Sequence, residues 1–187
     1  RTEERQVGAV VLAIGAELFD PAPLENFGYG RYPDVVTGLE YERIMAASGP
    51  TGGELVRPST GKAPQRVAWI QCVGSRGINR EDVSYCSGVC CMYALKEAIV
   101  TKERFQNDIE TTIFFMDMRT YGKDYELYYD RARKTYGVRL VRCRPHSVLA
   151  DAASGQLAIS YATDASSALA TEQFDMVVLS TGFRVPQ

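Results

Sequence analysis

Between Arg66 and Cys143 the apolar residues alternate between the period of a strand and that of a helix, and this order dictates a fold before any single residue is weighed. Arg66-Val67-Ala68-Trp69-Ile70-Gln71-Cys72 reads as a strand. From Ser87 to about Arg104, Cys91, Ala94, Leu95, Ala98 and Ile99 fall on one helical face. Thr111 to Met116 is a second strand; Tyr125, Tyr128, Tyr129 and Ala132 line a second helix, and Gly137 to Cys143 is a third strand. A β-α-β-α-β order requires a parallel sheet with right-handed crossovers. Beyond it Asp151, Ser154 and Gly155 punctuate short strands with no helical pattern between them. Ser147–Ala150, Leu157–Ala162 and Phe174–Ser180 therefore predict a β-meander in place of the next helix. The fold class expected is α/β, a three-layer Rossmann-like domain.

Two similar segments flank this block. Val7 to Gly15 is apolar enough to read as a strand buried on both faces, and Phe174 to Phe183 repeats the pattern, an apolar strand entering a Gly turn. The pair predicts a piece of a longer protein with the central block inserted between its flanks. Thr37-Gly38-Leu39-Glu40 is a capping-box pattern, and with Tyr41, Ile44 and Met45 behind it a short helix to about Ala47 is expected. Gly49 to Gln65 holds four Gly and three Pro in seventeen positions, which is linker chemistry. The expected division is thus an end piece plus linker over 1–64, an inserted module over 65–172 and a return strand over 173–187.

Composition excludes more than it identifies. With 187 residues, 45% hydrophobic and 24% charged, and 21 Lys+Arg against 23 Asp+Glu, the chain is an ordinary globular sequence, not a disordered one. The near-neutral charge argues against nucleic acid as a partner. The longest apolar run, Ala9 to Ile14 extended to Ala16, is far short of the ~20 residues of a membrane-spanning helix, and no signal segment opens the chain. A cytoplasmic protein is expected, where structural disulfides are rare.

The cysteines are placed unevenly. Cys72, Cys86, Cys90 and Cys91 fall within twenty residues, spaced Cys-x13-Cys-x3-Cys-Cys, and Cys143 stands apart. Cys72 ends the first strand, where open α/β sheets place their ligands, and the other three surround the start of the following helix. A helix start carries partial positive charge and favours thiolates and anionic clusters. Four thiolates there suit a four-iron cluster or zinc, though zinc ribbons usually show two short Cys pairs. Packing is the alternative for Cys91, which lies on the apolar face, and dithiol chemistry for Cys90 and Cys91.

A nicotinamide nucleotide is the competing ligand for such a fold. Its fingerprint, Gly-x-Gly-x-x-Gly running straight into a helix, is broken here: Gln71-Cys72-Val73-Gly74-Ser75-Arg76-Gly77 keeps two glycines and nine more residues precede the helix. Asp117 follows the second strand about forty residues on, where a ribose-reading acid lies about twenty on, and a solvated carboxylate is the better account of it. NAD(P) is therefore not expected to bind.

At Cys72-Val73-Gly74-Ser75-Arg76 and Tyr85-Cys86-Ser87-Gly88-Val89-Cys90-Cys91-Met92-Tyr93-Ala94 the sequence closely resembles the A-subunit family of heterodisulfide reductase. The similarity continues through Phe115 to Lys123 and into Gly137-Val138-Arg139. Members are large cytoplasmic iron–sulfur flavoproteins with a thioredoxin-reductase-like core, an FAD domain interrupted by a nicotinamide-domain-like module. The resemblance implies that residues 1–64 and 173–187 belong to the FAD domain and 65–172 to that module. It implies that Cys72, Cys86, Cys90 and Cys91 ligate a [4Fe–4S] cluster, and that Gly15, Thr181 and Gly182 lie near FAD in the full-length protein. No Gly-rich FAD phosphate turn is present, so the chain alone is expected to hold flavin weakly or not at all. The implied function is electron relay to the other subunits of a heterodisulfide-reductase-like complex. The alternatives are an NAD(P)H-binding module of a disulfide oxidoreductase, against which the broken turn speaks, and a redox-inactive docking module.

Three further features carry bland readings. His146, the one histidine, is expected in an exposed turn. Arg131, Arg133, Lys134, Arg139, Arg142 and Arg144 read as a solvated basic face, with docking of an acidic partner subunit as the other use. The tyrosines at 125, 128 and 129 read as core packing.

Overall fold

The computed structural model describes residues 2–77, 81–105, 108–163 and 166–186, with residues 163 and 166–168 described by their backbone only. In chain order its elements are β1 (Glu17–Leu18), a 3-10 turn (Glu25–Phe27), β2 (Val35–Thr37), α1 (Gly38–Met45), β3 (Arg66–Val73), α2 (Cys90–Arg104), β4 (Glu110–Phe115), α3 (Tyr125–Lys134), β5 (Arg139–Arg142), β6 (Ser147–Ala150), β7 (Leu157–Thr163), β8 (Ser166–Phe174), β9 (Met176–Thr181) and β10 (Phe183–Arg184).

Strand β3 organises the rest. Its side chains alternate between two apolar clusters, as the two-residue period of a strand demands. Val67 and Trp69 enter a cluster with Tyr41 and Ile44 of α1, Ala94, Leu95 and Ala98 of α2, and Ala132 of α3. Ala68 and Ile70 enter another with Phe19, Phe27, Val148, Ile159 and Phe174. Helices thus cover one face of the sheet and the meander β6-β7-β8 the other, which is the three-layer α/β arrangement expected. The central sheet is five-stranded, ordered β2-β9-β3-β4-β5, and each pairing is parallel. The meander is antiparallel throughout.

Several elements differ from the expectation. Val7 to Gly15 forms no strand; Val11 and Leu12 are 89% and 80% exposed. An apolar strand of this kind needs ladder partners and cover on both faces, and among the described residues only Glu17 and Leu18 find a partner, in β10. Helix α2 begins at Cys90 and not Ser87, because Gly88 turns left-handed (φ 71°). The run Phe174–Ser180 is split: Phe174 ends β8, Asp175 is a corner, and β9 returns to the central sheet between β2 and β3, so it is not a meander strand. The third meander strand is β8, whose mainly polar Ser166–Phe174 shows no strong apolar alternation. The stripe of tyrosines is only partly core: Tyr128 and Tyr129 pack against the helical cluster, while Tyr125 is 48% exposed. His146 is exposed as expected, though not in a turn: it leads into β6, with its N–H donating to Ser160 O at 2.9 Å.

The stretch 49–65 is tied down by charge. Arg57 binds buried Asp34 through Nη2 at 2.8 Å and Nε at 3.1 Å and donates to Gly155 O at 2.6 Å, so one guanidinium joins the segment, the start of β2 and the meander. Ser59 adds N and Oγ bonds to the same carboxylate, at 2.9 and 2.6 Å. Removing one partner of a buried pair strands the other in low dielectric. Arg57→Ala is therefore expected to lower unfolding free energy by about 3 kcal/mol, with Arg57→Lys recovering only part because a point charge cannot reproduce the fork. Urea denaturation checks this, and an unchanged midpoint would assign the network no more weight than a surface pair.

Candidate metal centre

The four clustered cysteines are assembled by two backbone irregularities. The β3–β9 register shifts between Ile70 and Val73, and Cys72 adopts φ 60°, a left-handed conformation unusual for a residue with a side chain. A bulge of this type re-aims the side chain that follows it, and strained backbone concentrates at functional sites. The loop beyond is closed by Val83 N donating to Gly74 O (3.0 Å) and Arg76 N to Tyr85 O (3.3 Å). This returns the chain to Cys86, whose Sγ accepts from Gly88 N at 3.3 Å. Cys90 and Cys91 are then the first two residues of α2, and no side chain caps that end.

The thiols are brought within electrostatic reach of one another. Charge on Cys86 is felt at Cys72, charge on Cys72 and Cys86 at Cys90, and charge on all three at Cys91. Cys143 lies apart, in the core beneath the meander with Val148 and Ile159. Burial is the main influence on three of the four: it pushes the Cys72 and Cys90 thiols up and Cys91 up to about 12, and the neighbouring sulfurs add to the rise. Without a bound cation these groups stay protonated at neutral pH. Metal binding has to displace those protons.

A guanidinium–carboxylate clamp borders the sulfurs. Arg76 Nη1 lies 3.9 Å from Cys72 Sγ and pairs with Asp117, whose Oδ2 also accepts from Arg76 Nη2 at 3.2 Å. Arg119 Nε reaches the same carboxylate at 3.3 Å. Burial acts to raise the Asp117 carboxyl, but the two guanidinium groups outweigh it and hold the group below the ordinary carboxylate range. Cys91 Sγ in turn faces Asp117 O at 3.9 Å. Asp117 is thus engaged, not simply solvated, and this clamp is the functional feature that pattern reading missed. Its partners are forty-one residues apart, and only the short Asp117-x-Arg119 spacing is local.

The two glycines of the broken nucleotide turn serve protein packing. A Cβ on Gly74 would fall 2.3 Å from the Phe19 ring, and one on Gly77 1.7 Å from the Asp82 carboxylate. Among the residues expected near flavin, Thr181 and Gly182 end β9 beside the cysteine loop, where a Cβ on Gly182 would meet Ser87 Oγ at 2.1 Å. Gly15 lies outside the sheet in the exposed N-terminal stretch, two residues before Glu17, which pairs with Arg184.

Among the described residues no three His, Cys, Asp or Glu side chains stand close enough to hold a single metal ion. A four-iron cluster is a different demand, since each thiolate binds its own iron at a corner of a larger body. Four thiols around the bulge of a strand and the start of a helix fit that donor chemistry. In the basic run over 131–144, Arg139 pairs with Glu172 at the other end of the sheet and Arg144 with Asp82.

The fold is a Rossmann-like α/β domain that carries four thiols between the end of β3 and the start of α2. No protein-family profile matches the chain. It is 45% identical over 179 residues, 96% of its length, to the second CoB–CoM heterodisulfide reductase iron-sulfur A-subunit of Methanopyrus kandleri. It is 41% identical over 186 residues to the A-subunit of the H(2):CoB-CoM heterodisulfide,ferredoxin reductase of Methanothermobacter thermautotrophicus. Thioredoxin reductase of T. acidophilum matches 92% of this chain and 43% of its own at 10% identity, with a TM-score of 0.47. Over the segment aligned, nearly its whole length, the chain is similar to the A-subunits of heterodisulfide reductase. It spans about a quarter of the length of these curated relatives, 27% of the first and 28% of the second.

Exposure sets an order of thiol reactivity. Cys86 is the half-buried member and Cys72, Cys90 and Cys91 are buried, so metal-free chain treated with iodoacetamide at neutral pH is expected to be alkylated first at Cys86 and last at Cys91. Peptide mass spectrometry over a time course reads the order, and equal rates at Cys86 and Cys91 would contradict it.

Proposed function

We propose that Cys72, Cys86, Cys90 and Cys91 hold a [4Fe–4S] cluster and that the chain is the cluster-bearing part of an electron-transferring oxidoreductase subunit. The observation that carries this reading is the mutual approach of four thiols at the end of β3 and the start of α2, with Cys143 excluded from the group. The near-complete alignment with relatives named as iron-sulfur subunits of heterodisulfide reductase supports it. When bound, the cluster supplies one-electron redox chemistry. The chain's own residues do the rest: the Gly88 N–H and the α2 N-terminus stabilise negative charge on sulfur, and Arg76, held by Asp117, presents a fixed positive charge to Cys72.

The wider assignment follows from the same reading. Residues 65–172 form the body of the inserted module, to whose sheet β2 and β9 add two strands; beyond those strands residues 1–64 and 173–187 lead to an FAD domain, and FAD lies near Gly15, Thr181 and Gly182 in the full-length protein. Those three offer backbone at the border of such a site, and β1–β10 pairing sets the two flanks side by side. The partners are the other subunits of a heterodisulfide-reductase-like complex, in the cytoplasm. No helix among the described residues is long and apolar enough to cross a membrane.

Substitution separates ligands from packing. After anaerobic reconstitution with iron and sulfide, Cys72→Ser, Cys86→Ser, Cys90→Ser and Cys91→Ser are each expected to lose most bound iron and cluster absorbance, and Cys143→Ser neither. Full iron retention by Cys91→Ser, with a stability loss of about 1 kcal/mol, would return Cys91 to the core. A second measurement addresses the nucleotide. Phe19 and Asp82 fill the side-chain space at Gly74 and Gly77, so calorimetry is expected to show no saturable binding of NADH or NADPH below millimolar concentration, and micromolar affinity would overturn the assignment of this turn to sulfur.

A further inference from the structure

One side of α2 carries polar groups inward from the cysteines. Cys90, Tyr93, Glu97 and Thr101 recur at the three- and four-residue spacing that stacks side chains along a helix. Glu97 is 3% exposed. Its Oε2 accepts from Trp69 Nε1 at 2.7 Å, and Oε1 has no hydrogen-bond partner among the described residues. Gly38 packs close to that oxygen and to Tyr93: a Cβ there would sit 3.2 Å from Oε1 and 2.7 Å from the Tyr93 ring.

The groups that face Glu97 leave it without a counter-ion of its own. From α1 come Tyr41, whose hydroxyl is bound to Thr101 Oγ1 at 2.6 Å, and Glu42. From α2 come Tyr93, whose hydroxyl donates to Thr181 O at 2.7 Å, and Lys96, which pairs with Glu42 at 2.6 Å. Arg104 borders the same space but donates to Met45 O and Gly53 O. From β3 comes Trp69, which offers only its indole N–H. Burial pushes the Glu97 carboxyl up to about 8 against the pull of the Trp69 N–H and of Lys96, with Glu42 adding to the rise.

Two open pockets have Glu97 in their lining. One, of about 150 Å³, lies between α1 and α2 beside Tyr41, Glu42 and Lys96. The other, of about 230 Å³, is bordered by Gly38, Tyr93, Thr181 and Phe183. Glu97 stands six residues beyond Cys91, roughly 9 Å along the helix axis, within unscreened range of any charge placed on the sulfurs.

We propose that Glu97 is the proton acceptor coupled to reduction of the centre at Cys72, Cys86, Cys90 and Cys91. This rests on the cluster assignment under Proposed function. Above about pH 8, where Glu97 is ionised while the centre is oxidised, each electron delivered by a one-electron donor, such as a reduced iron–sulfur protein, draws up to one proton from solvent water onto Oε1. One O–H bond forms on the ionised carboxylate, hydroxide or buffer base balances the proton, and no bond to carbon or sulfur breaks. Linkage makes the effect mutual: negative charge on the centre raises the proton affinity of Glu97, and a proton on Glu97 favours the reduced centre equally.

The test uses the reconstituted 187-residue chain, dithionite as electron donor, and the single tryptophan as an independent reporter. The potential is expected to be flat with pH while Glu97 is already protonated and to fall above about pH 8 by up to about 59 mV per unit, the one-electron, one-proton limit. Glu97→Gln, which retains an acceptor for Trp69, is expected to abolish the slope. Trp69 fluorescence in metal-free chain is expected to show a step near pH 8 that the same variant removes. A flat potential in the iron-loaded parent chain, or a slope that survives in Glu97→Gln, overturns the proposal. Chain that binds no iron overturns the cluster assignment and this proposal together, and the iron assay tells that failure from a pH-independent centre.

Discussion

Two apolar clusters meet across a single strand, and the packing of Trp69 and Ile70 on its opposite faces is the constraint from which the other positions follow. Because β3 is buried along both faces, its neighbours β9 and β4 must be parallel strands reached by covered crossovers, and the helices and meander supply that cover. Trp69 sets the distance between the sheet and α1 through its edge-on contact with Tyr41, with ring centroids 5.3 Å apart. It also fixes Glu97 and so the rotation of α2 about its own axis. That rotation decides which way Cys90 and Cys91 look.

The candidate centre grows out of the same strand at the point where its regularity fails. A left-handed Cys72 shifts the β3–β9 register just before the loop, and the nucleotide-type arrangement of strand, tight turn and helix becomes strand, closed loop and helix. The helix N-terminus that serves a pyrophosphate in a dinucleotide fold is given two thiols. Desolvation holds those thiols protonated, so assembling a metal centre requires proton release, and the positive end of α2 and Arg76 offset part of that cost.

Much of the fold was legible because its signals are local. The periodicity of β3, α2, β4, α3 and β5 fixed their order, and the Thr37–Glu40 capping box is present, with Thr37 N donating to Glu40 Oε2 at 2.7 Å and Glu40 N to Thr37 Oγ1 at 3.3 Å. What was not legible depends on partners distant in the chain. Val7 to Gly15 has the composition of a buried strand and lacks neighbours in the described sheet, and no local rule distinguishes the two situations. β8 forms because β7 offers a ladder, not because its own residues alternate. The cysteine group could be read from spacing. The Arg76–Asp117 clamp and the Trp69–Glu97 contact could not, since each joins residues from different parts of the chain.

The corner at Asp175 has a mechanical consequence. The chain passes from the last meander strand to the central sheet through this one residue, whose Oδ2 accepts from Gln65 N at 2.8 Å and Arg66 N at 2.9 Å and whose Oδ1 accepts from Gln156 Nε2 at 3.1 Å. A corner so short and so fully bonded has no torsional slack, and sheet and meander must swing as one rigid block. The compliant region is then the β1–β10 ribbon, two short antiparallel strands joined to that block by Phe19 N to Gly182 O at 3.0 Å and by the Phe19 ring under Arg184. That ribbon is also bonded to the cysteine loop, by Tyr85 Oη to Phe183 O at 3.3 Å and Arg184 Nη2 to Glu81 O at 2.6 Å, so the loop is held between the block and the ribbon.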